Sequence, residues 1–145
     1  MNKPKKEDWE INTNPDHIYN KICELNNPNI SMGYRDFVLQ LHSNIKYNND
    51  DCIGLTHFDT CEIWLDISLN DGTARETIIH EILHAITELV GLGGTSDDEA
   101  NLNITNEELV NKMTKGLMLF CALNPELAKT IFFKEDKKIG RPKQK

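Results

Sequence analysis

Apolar residues recur along this chain at two different intervals, and the change from one to the other marks out its elements. From Ile53 to Phe58 and again from Cys61 to Ile67 they alternate with polar ones, which predicts two strands joined at Asp59-Thr60, with Ile63, Leu65 and Ile67 on one face. Further on the interval becomes helical. Ile78, Ile82, Leu83, Ile86, Leu89 and Val90 make one broad apolar face, while Thr77, His80, Glu81, His84 and Glu88 fall opposite. Thr73 and Glu76 form a capping box that opens this helix after Asp71-Gly72, and Gly91, Gly93 and Gly94 close it. An acidic loop through Asp97-Asp98-Glu99 leads to a second capping box, Thr105 with Glu108, and a helix whose apolar face runs through Val110, Met113, Leu117, Phe120 and Cys121.

The flanks are less regular. Asp16 to Leu25 suits a short helix followed by a turn at Asn26-Asn27-Pro28-Asn29. Between Tyr34 and Tyr47 both intervals can be traced, and the alternation of Phe37, Leu39, Leu41, Ile45 and Tyr47 assigns the segment to a strand. Asn124-Pro125 is an N-cap and first-turn pair for a last helix through Leu127, Ile131 and Phe132. Strands grouped before helices make the chain α+β: a short antiparallel sheet, a long helix carrying His80 to His84, and a second long helix.

His80-Glu81-Ile82-Leu83-His84 is where this pattern meets chemistry. Residues four apart lie on the same helix face, so the imidazoles of His80 and His84 can reach one tetrahedral ion. Glu81 is turned aside from that pair. It suits a general base acting on a water in the open coordination position. The plain reading, a solvated polar stripe, is opposed by the apolar character of the rest of the helix, which argues for a central position.

A zinc site of this kind needs a third protein ligand. Thr87 and Val90 stand where a metzincin would have Gly and His, so that source is excluded. Glu107 and Glu108 open the second helix. The capping box occupies Glu108, whereas Glu107 borders the apolar face and is the expected ligand; its plain role would be an acid favoured by the helix dipole. His57, beside the hairpin turn, is the rival. Asn111, one turn after Glu107, is either an acceptor for the second ring N–H of a ligand histidine or an ordinary exposed residue. His17 and His42 have no partner at metal spacing.

Gly54-Leu55-Thr56-His57-Phe58-Asp59, Glu62-Ile63-Trp64-Leu65-Asp66 and Arg75 to Ile86 together resemble the small phage- and prophage-associated metallopeptidases of the ImmA/IrrE type. Glu107-Glu108-Leu109-Val110-Asn111 is similar to that family's second-helix motif, in which the ligand Glu is followed four residues later by Asn. The resemblance spans roughly residues 53 to 125. It implies a zincin-like, gluzincin-type domain with Zn2+ held by His80, His84 and Glu107, and with Glu81 catalytic. It further implies an extended protein or peptide substrate paired with the sheet edge above the metal, the target being an intracellular regulatory protein. The helix-turn-helix domain that often accompanies this family has no counterpart here.

Composition narrows the setting. The 145 residues suffice for one core, expected over 16–133, between a flexible segment at 1–15 and a basic, disordered tail at 134–145. No apolar signal region or membrane-length segment is present in the sequence, which places the chain in the cytoplasm with no membrane partner. Four cysteines without CxxC spacing are expected as reduced packing residues, Cys52 and Cys61 flanking the hairpin. The net charge of −7 is uneven: residues before Glu7 and after Phe133 hold nine of the 16 basic but two of the 23 acidic residues, leaving −14 between them. That middle should repel nucleic acid. Only the tail, where Gly140-Arg141-Pro142-Lys143 faintly resembles the centre of an AT-hook, offers a weak DNA anchor. The remaining alternative to an enzyme is a non-catalytic zinc module, stable only with its metal.

Overall fold

A computed structural model describes residues 14–25, 29–92 and 104–133, so the N-terminal segment, the Asn26 turn, the acidic loop and the basic tail lie outside the described residues. The described parts form an α+β arrangement: helix α1 (Ile18–Cys23), strands β1 (Ile30–Ser31), β2 (Asp36–His42), β3 (Lys46–Tyr47), β4 (Asp50–Asp51), β5 (Gly54–His57) and β6 (Glu62–Asp66), then helices α2 (Asp71–Leu89), α3 (Asn106–Leu123) and α4 (Pro125–Phe132). The main sheet has the order β1-β2-β6-β5, and β3-β4 is a separate two-stranded ribbon. The expected β5–β6 hairpin is present and antiparallel, Leu55 opposite Trp64 and Thr56 opposite Ile63. The expectation of a purely antiparallel sheet is corrected, because β2 lies parallel to β6, with Leu39 beside Ile63 and Leu41 beside Leu65. The chain can return in this way because it breaks after His42, where Asn44 takes a left-handed φ of 57°, and crosses through the β3–β4 ribbon.

Ile63 and Leu65 are buried with Phe37 and Leu39 on the inner face of the sheet, against Ile78, Ile82, Ala85 and Ile86 of α2. At roughly 25 cal/mol per Å² of apolar surface, each of the Ile, Leu and Phe side chains contributes about 1.5–3 kcal/mol. Helix α1 is fastened beside them. Its N-cap is His17, which accepts from Tyr19 N at Nδ1 and donates from Nε2 to Leu69 O at 2.8 Å, so this histidine is structural. The Tyr19 hydroxyl donates to Asp66 O at the end of β6.

Helix α2 starts earlier than the Thr73–Glu76 box predicts. Asn70 is the cap, its side chain accepting from Thr73 N, because Asp71 is drawn into the first turn by Ile18 N and Arg75. Gly91, at φ 76°, ends the helix as expected. Helix α3 begins at Thr105, whose hydroxyl accepts from Glu108 N. Of its predicted face, Phe120 is buried and Met113 and Cys121 pack on the core, but the buried side is turned towards Gly116 and Val110 is 57 % exposed. The cause is Gly116, which allows α3 to approach Ile86 of α2 and Val90 at its C-cap more closely than any side chain would.

Asn124 ends α3 and precedes Pro125 of α4, as expected, but its side chain serves another element. It accepts from Ser31 N at 2.6 Å and donates to Ser31 O at 2.7 Å and Phe120 O at 3.0 Å, closing the β1 edge of the sheet. Asn124→Ala should therefore cost about 2 kcal/mol, read from the urea midpoint.

Candidate metal centre

The site is built on one face of α2 and on the strand that lies against it. Side chains four residues apart on a helix point the same way, and His80 and His84 do so towards solvent. Their Nε2 atoms are 3.1 Å apart. Two bonds of about 2.05 Å to a tetrahedral zinc ion would hold two nitrogens roughly 3.3 Å apart, so the pair already has nearly the separation of two ligands. The Glu81 carboxylate completes a group whose ligand atoms all lie within 4.8 Å of one another, the only such group among the described residues. Its Oε1 is 4.0 Å from His80 Nε2, too far for a direct bond and suited to an intervening water.

Glu81 corrects the helical-wheel reading. The wheel puts Thr77 and Glu81 on the polar side, yet they are 5 % and 4 % exposed. Strand β5 covers them. Gly54 leaves room for this, since a methyl group there would lie 2.6 Å from Thr77 Cγ2 and 2.9 Å from Glu81 Oε1. Thr56, next on the same face of the strand, donates its hydroxyl to Glu81 Oε2 at 2.6 Å. The signal for this contact was in the sequence: a glycine inside a strand marks a close approach, and Gly54-Leu55-Thr56 precedes the histidine motif.

Glu107 is not brought to this group. Gly116 packs on Ile86 and Val90, and Lys112, one turn earlier, reaches Val90 O at 3.2 Å. Glu107 and Asn111, nearer the start of α3, are both exposed, and Glu107 is not among the ligand atoms grouped with His80 and His84. His57 is also excluded as a neighbour of the pair. It lies on the outer face of the sheet, where Trp64 contacts both it and His42, with ring centroids at 4.3 and 4.1 Å. Trp64 Nε1 donates to Glu62 there, and His42 Nε2 meets Gln40.

Burial lowers the His42 pKa, the attraction of Glu62 opposing and His57 reinforcing the shift. A histidine whose folded value lies below its unfolded value near 6.5 costs stability as pH falls through that unfolded value. His42→Gln should accordingly flatten the loss of thermal stability between about pH 7 and pH 5.5, measured by melts across that range.

A cleft of about 550 Å3 runs from Cys52, Ile53 and Gly54 past Thr73 and Thr77 to His80 and Glu81. Burial, then the nearby charges of Glu81 and Asp51, pushes the Cys52 thiol pKa up. It is therefore a neutral thiol, the wrong state for a nucleophile. All four described cysteines are free. No helix among the described residues is long and apolar enough to cross a membrane. Compared with known proteins, the chain matches no family model, no curated protein and no solved structure.

Proposed function

We propose that this chain is a zinc-dependent peptidase of zincin-like design, acting on an intracellular protein substrate in the cytoplasm. The observation that carries the proposal is the His80–His84 pair at near-ligand separation on the open face of α2, with the Glu81 carboxylate aimed at it from the buried side. The two imidazoles, with a third ligand for which Glu107 is the candidate, would hold a zinc ion, which would supply Lewis acidity and an activated water. Glu81 then accepts the proton of the attacking water at Oε1 and delivers it to the departing amine.

The sheet supports this reading at its open edge. Ile53 O accepts from Asp66 N, and the antiparallel alternation turns the peptide groups of Leu55 and His57 towards β6 as well. The N–H and C=O groups of Gly54 and Thr56 consequently face outward, on the strand that touches Glu81. An extended peptide can pair there with its scissile bond over the histidines. The cleft beside the strand then takes a substrate side chain.

Metal content tests the proposal. The parent, purified without metal-affinity resin and reconstituted, should hold about one zinc per chain, and His80→Ala and His84→Ala should lose it. The 3.1 Å contact equally fits an imidazole–imidazole hydrogen bond, and a parent that takes up no zinc would leave only that. Glu107→Ala tests the expected third ligand, which lies outside the grouped ligand atoms: retention of zinc would rule it out. Loss of zinc in that variant would mean that α3 moves to deliver the carboxylate on binding.

A further inference from the structure

We infer that Thr56 is a positioning residue for Glu81, dividing the work of its two carboxylate oxygens; the inference rests on the peptidase reading and assigns a role within the same site. Oε2 is the oxygen held by the Thr56 hydroxyl, at 2.6 Å, while Oε1 is the one that faces His80 Nε2 at 4.0 Å. A carboxylate free to rotate about its last bond would offer either oxygen, or neither, to a water between the histidines. With one oxygen tied to a strand, the other keeps a single direction. Gly54 closes the remaining freedom, because the carboxylate occupies the space that a side chain at 54 would need.

The clamp is stiff at both ends. Thr56 lies in the middle of β5, paired with Ile63 of β6, and Ile63 is buried in the core. Its hydroxyl also sits 3.2 Å from Glu81 O, so it meets the helix backbone and the side chain of the same residue. Glu81 itself is 4 % exposed, which keeps bulk water from competing for Oε2. Proton transfer depends on heavy-atom distances of about 2.6–3.2 Å, so a general base whose oxygen wanders by an ångström loses much of its effect. Gly54-x-Thr56 thus has a chemical purpose: the glycine admits the carboxylate into the strand's face, and the threonine two residues on, on that same face, aims it.

Thr56→Val, which keeps the shape and removes the hydroxyl, and Thr56→Ser, which keeps the hydroxyl, separate aiming from packing. In zinc-loaded chains assayed on a mixture of quenched fluorogenic peptides, Thr56→Val should lower kcat about 10- to 100-fold with KM within about twofold, and Thr56→Ser should stay near the parent. Cobalt-loaded chains give a readout without turnover. Thr56→Val should bind the parent's amount of cobalt with visible absorption bands shifted from the parent's, and Thr56→Ser should reproduce the parent's bands. Parent-like kcat and bands in Thr56→Val, or a loss in Thr56→Ser as large as in Thr56→Val, would overturn the positioning role. A parent that binds no metal removes the peptidase reading and this role together. Shifted cobalt bands in Thr56→Val with no peptide cut by the parent would instead retain the positioning and remove only the peptidase activity.

Discussion

Glu81→Gln should lower peptide hydrolysis about 10²- to 10⁴-fold while zinc stays at one ion per chain. The two results belong together. Glutamine has the shape of glutamate and can still accept from the Thr56 hydroxyl, so the buried pocket against β5 keeps its volume and one of its bonds. It has no useful basicity, and the proton of an attacking water then has nowhere to go. The imidazoles of His80 and His84 are exposed and contact the Glu81 carboxylate at no closer than 4.0 Å, so metal binding should not depend on the charge at 81. Kinetics and elemental mass spectrometry on the same preparation decide the matter. If hydrolysis survives in Glu81→Gln, another group is the base; if a binding function survives and hydrolysis was never present, the chain is a non-catalytic metal module.

The second large effect concerns the helix pair that supports the site. Gly116→Val should destabilise the fold by about 3 kcal/mol, because the new side chain would overlap Ile86 Cγ2 and crowd Val90 Cγ1. Replacing a mid-helix glycine ordinarily helps by up to about 1 kcal/mol, but a β-branched residue recovers only part of that gain. Ile86 cannot yield: it is fully buried and its branched side chain has one favoured rotamer in a helix. Overpacking therefore wins, and the thermal midpoint should drop by roughly 10 °C in a chain of this size. An unchanged midpoint would mean that α2 and α3 are not in close contact at Gly116.

The β5–β6 hairpin, the course of α2 and its stop at Gly91, the cap at Thr105 and the start of α4 at Asn124-Pro125 were all legible because each depends on neighbours in sequence. The His80-Glu81-His84 group was legible for the same reason: helical spacing alone brings it together. What failed to show depends on distant partners. Periodicity places Glu81 in solvent, since a glycine inside a strand marks a close approach without saying which side chain makes it. Thr73 looked like a cap only while the bonds of Asp71 to Ile18 N and Arg75 were unknown. The wheel of Val110, Met113, Leu117, Phe120 and Cys121 puts Glu107 beside a buried face, whereas the close approach at Gly116 leaves Val110 and Glu107 exposed. The parallel pairing of β2 with β6 is likewise a property of where the chain returns, which the alternation of Phe37 to Leu41 does not encode.

The bond between Ser31 and Asn124 spans 93 positions of sequence, and it sets an order of events during synthesis. When β1 leaves the ribosome, the residue that satisfies its outer backbone groups has not yet been translated. Arg75 waits in the same way for the carbonyls of Thr130 and Ile131 near the end of α4. The sheet and α2 can collapse early, but one edge remains unsealed until Asn124 and α4 have been made, so these contacts are completed late. A nascent chain stalled before Asn124 is correspondingly the form most exposed to edge-to-edge aggregation, although every residue of its histidine motif has already been made.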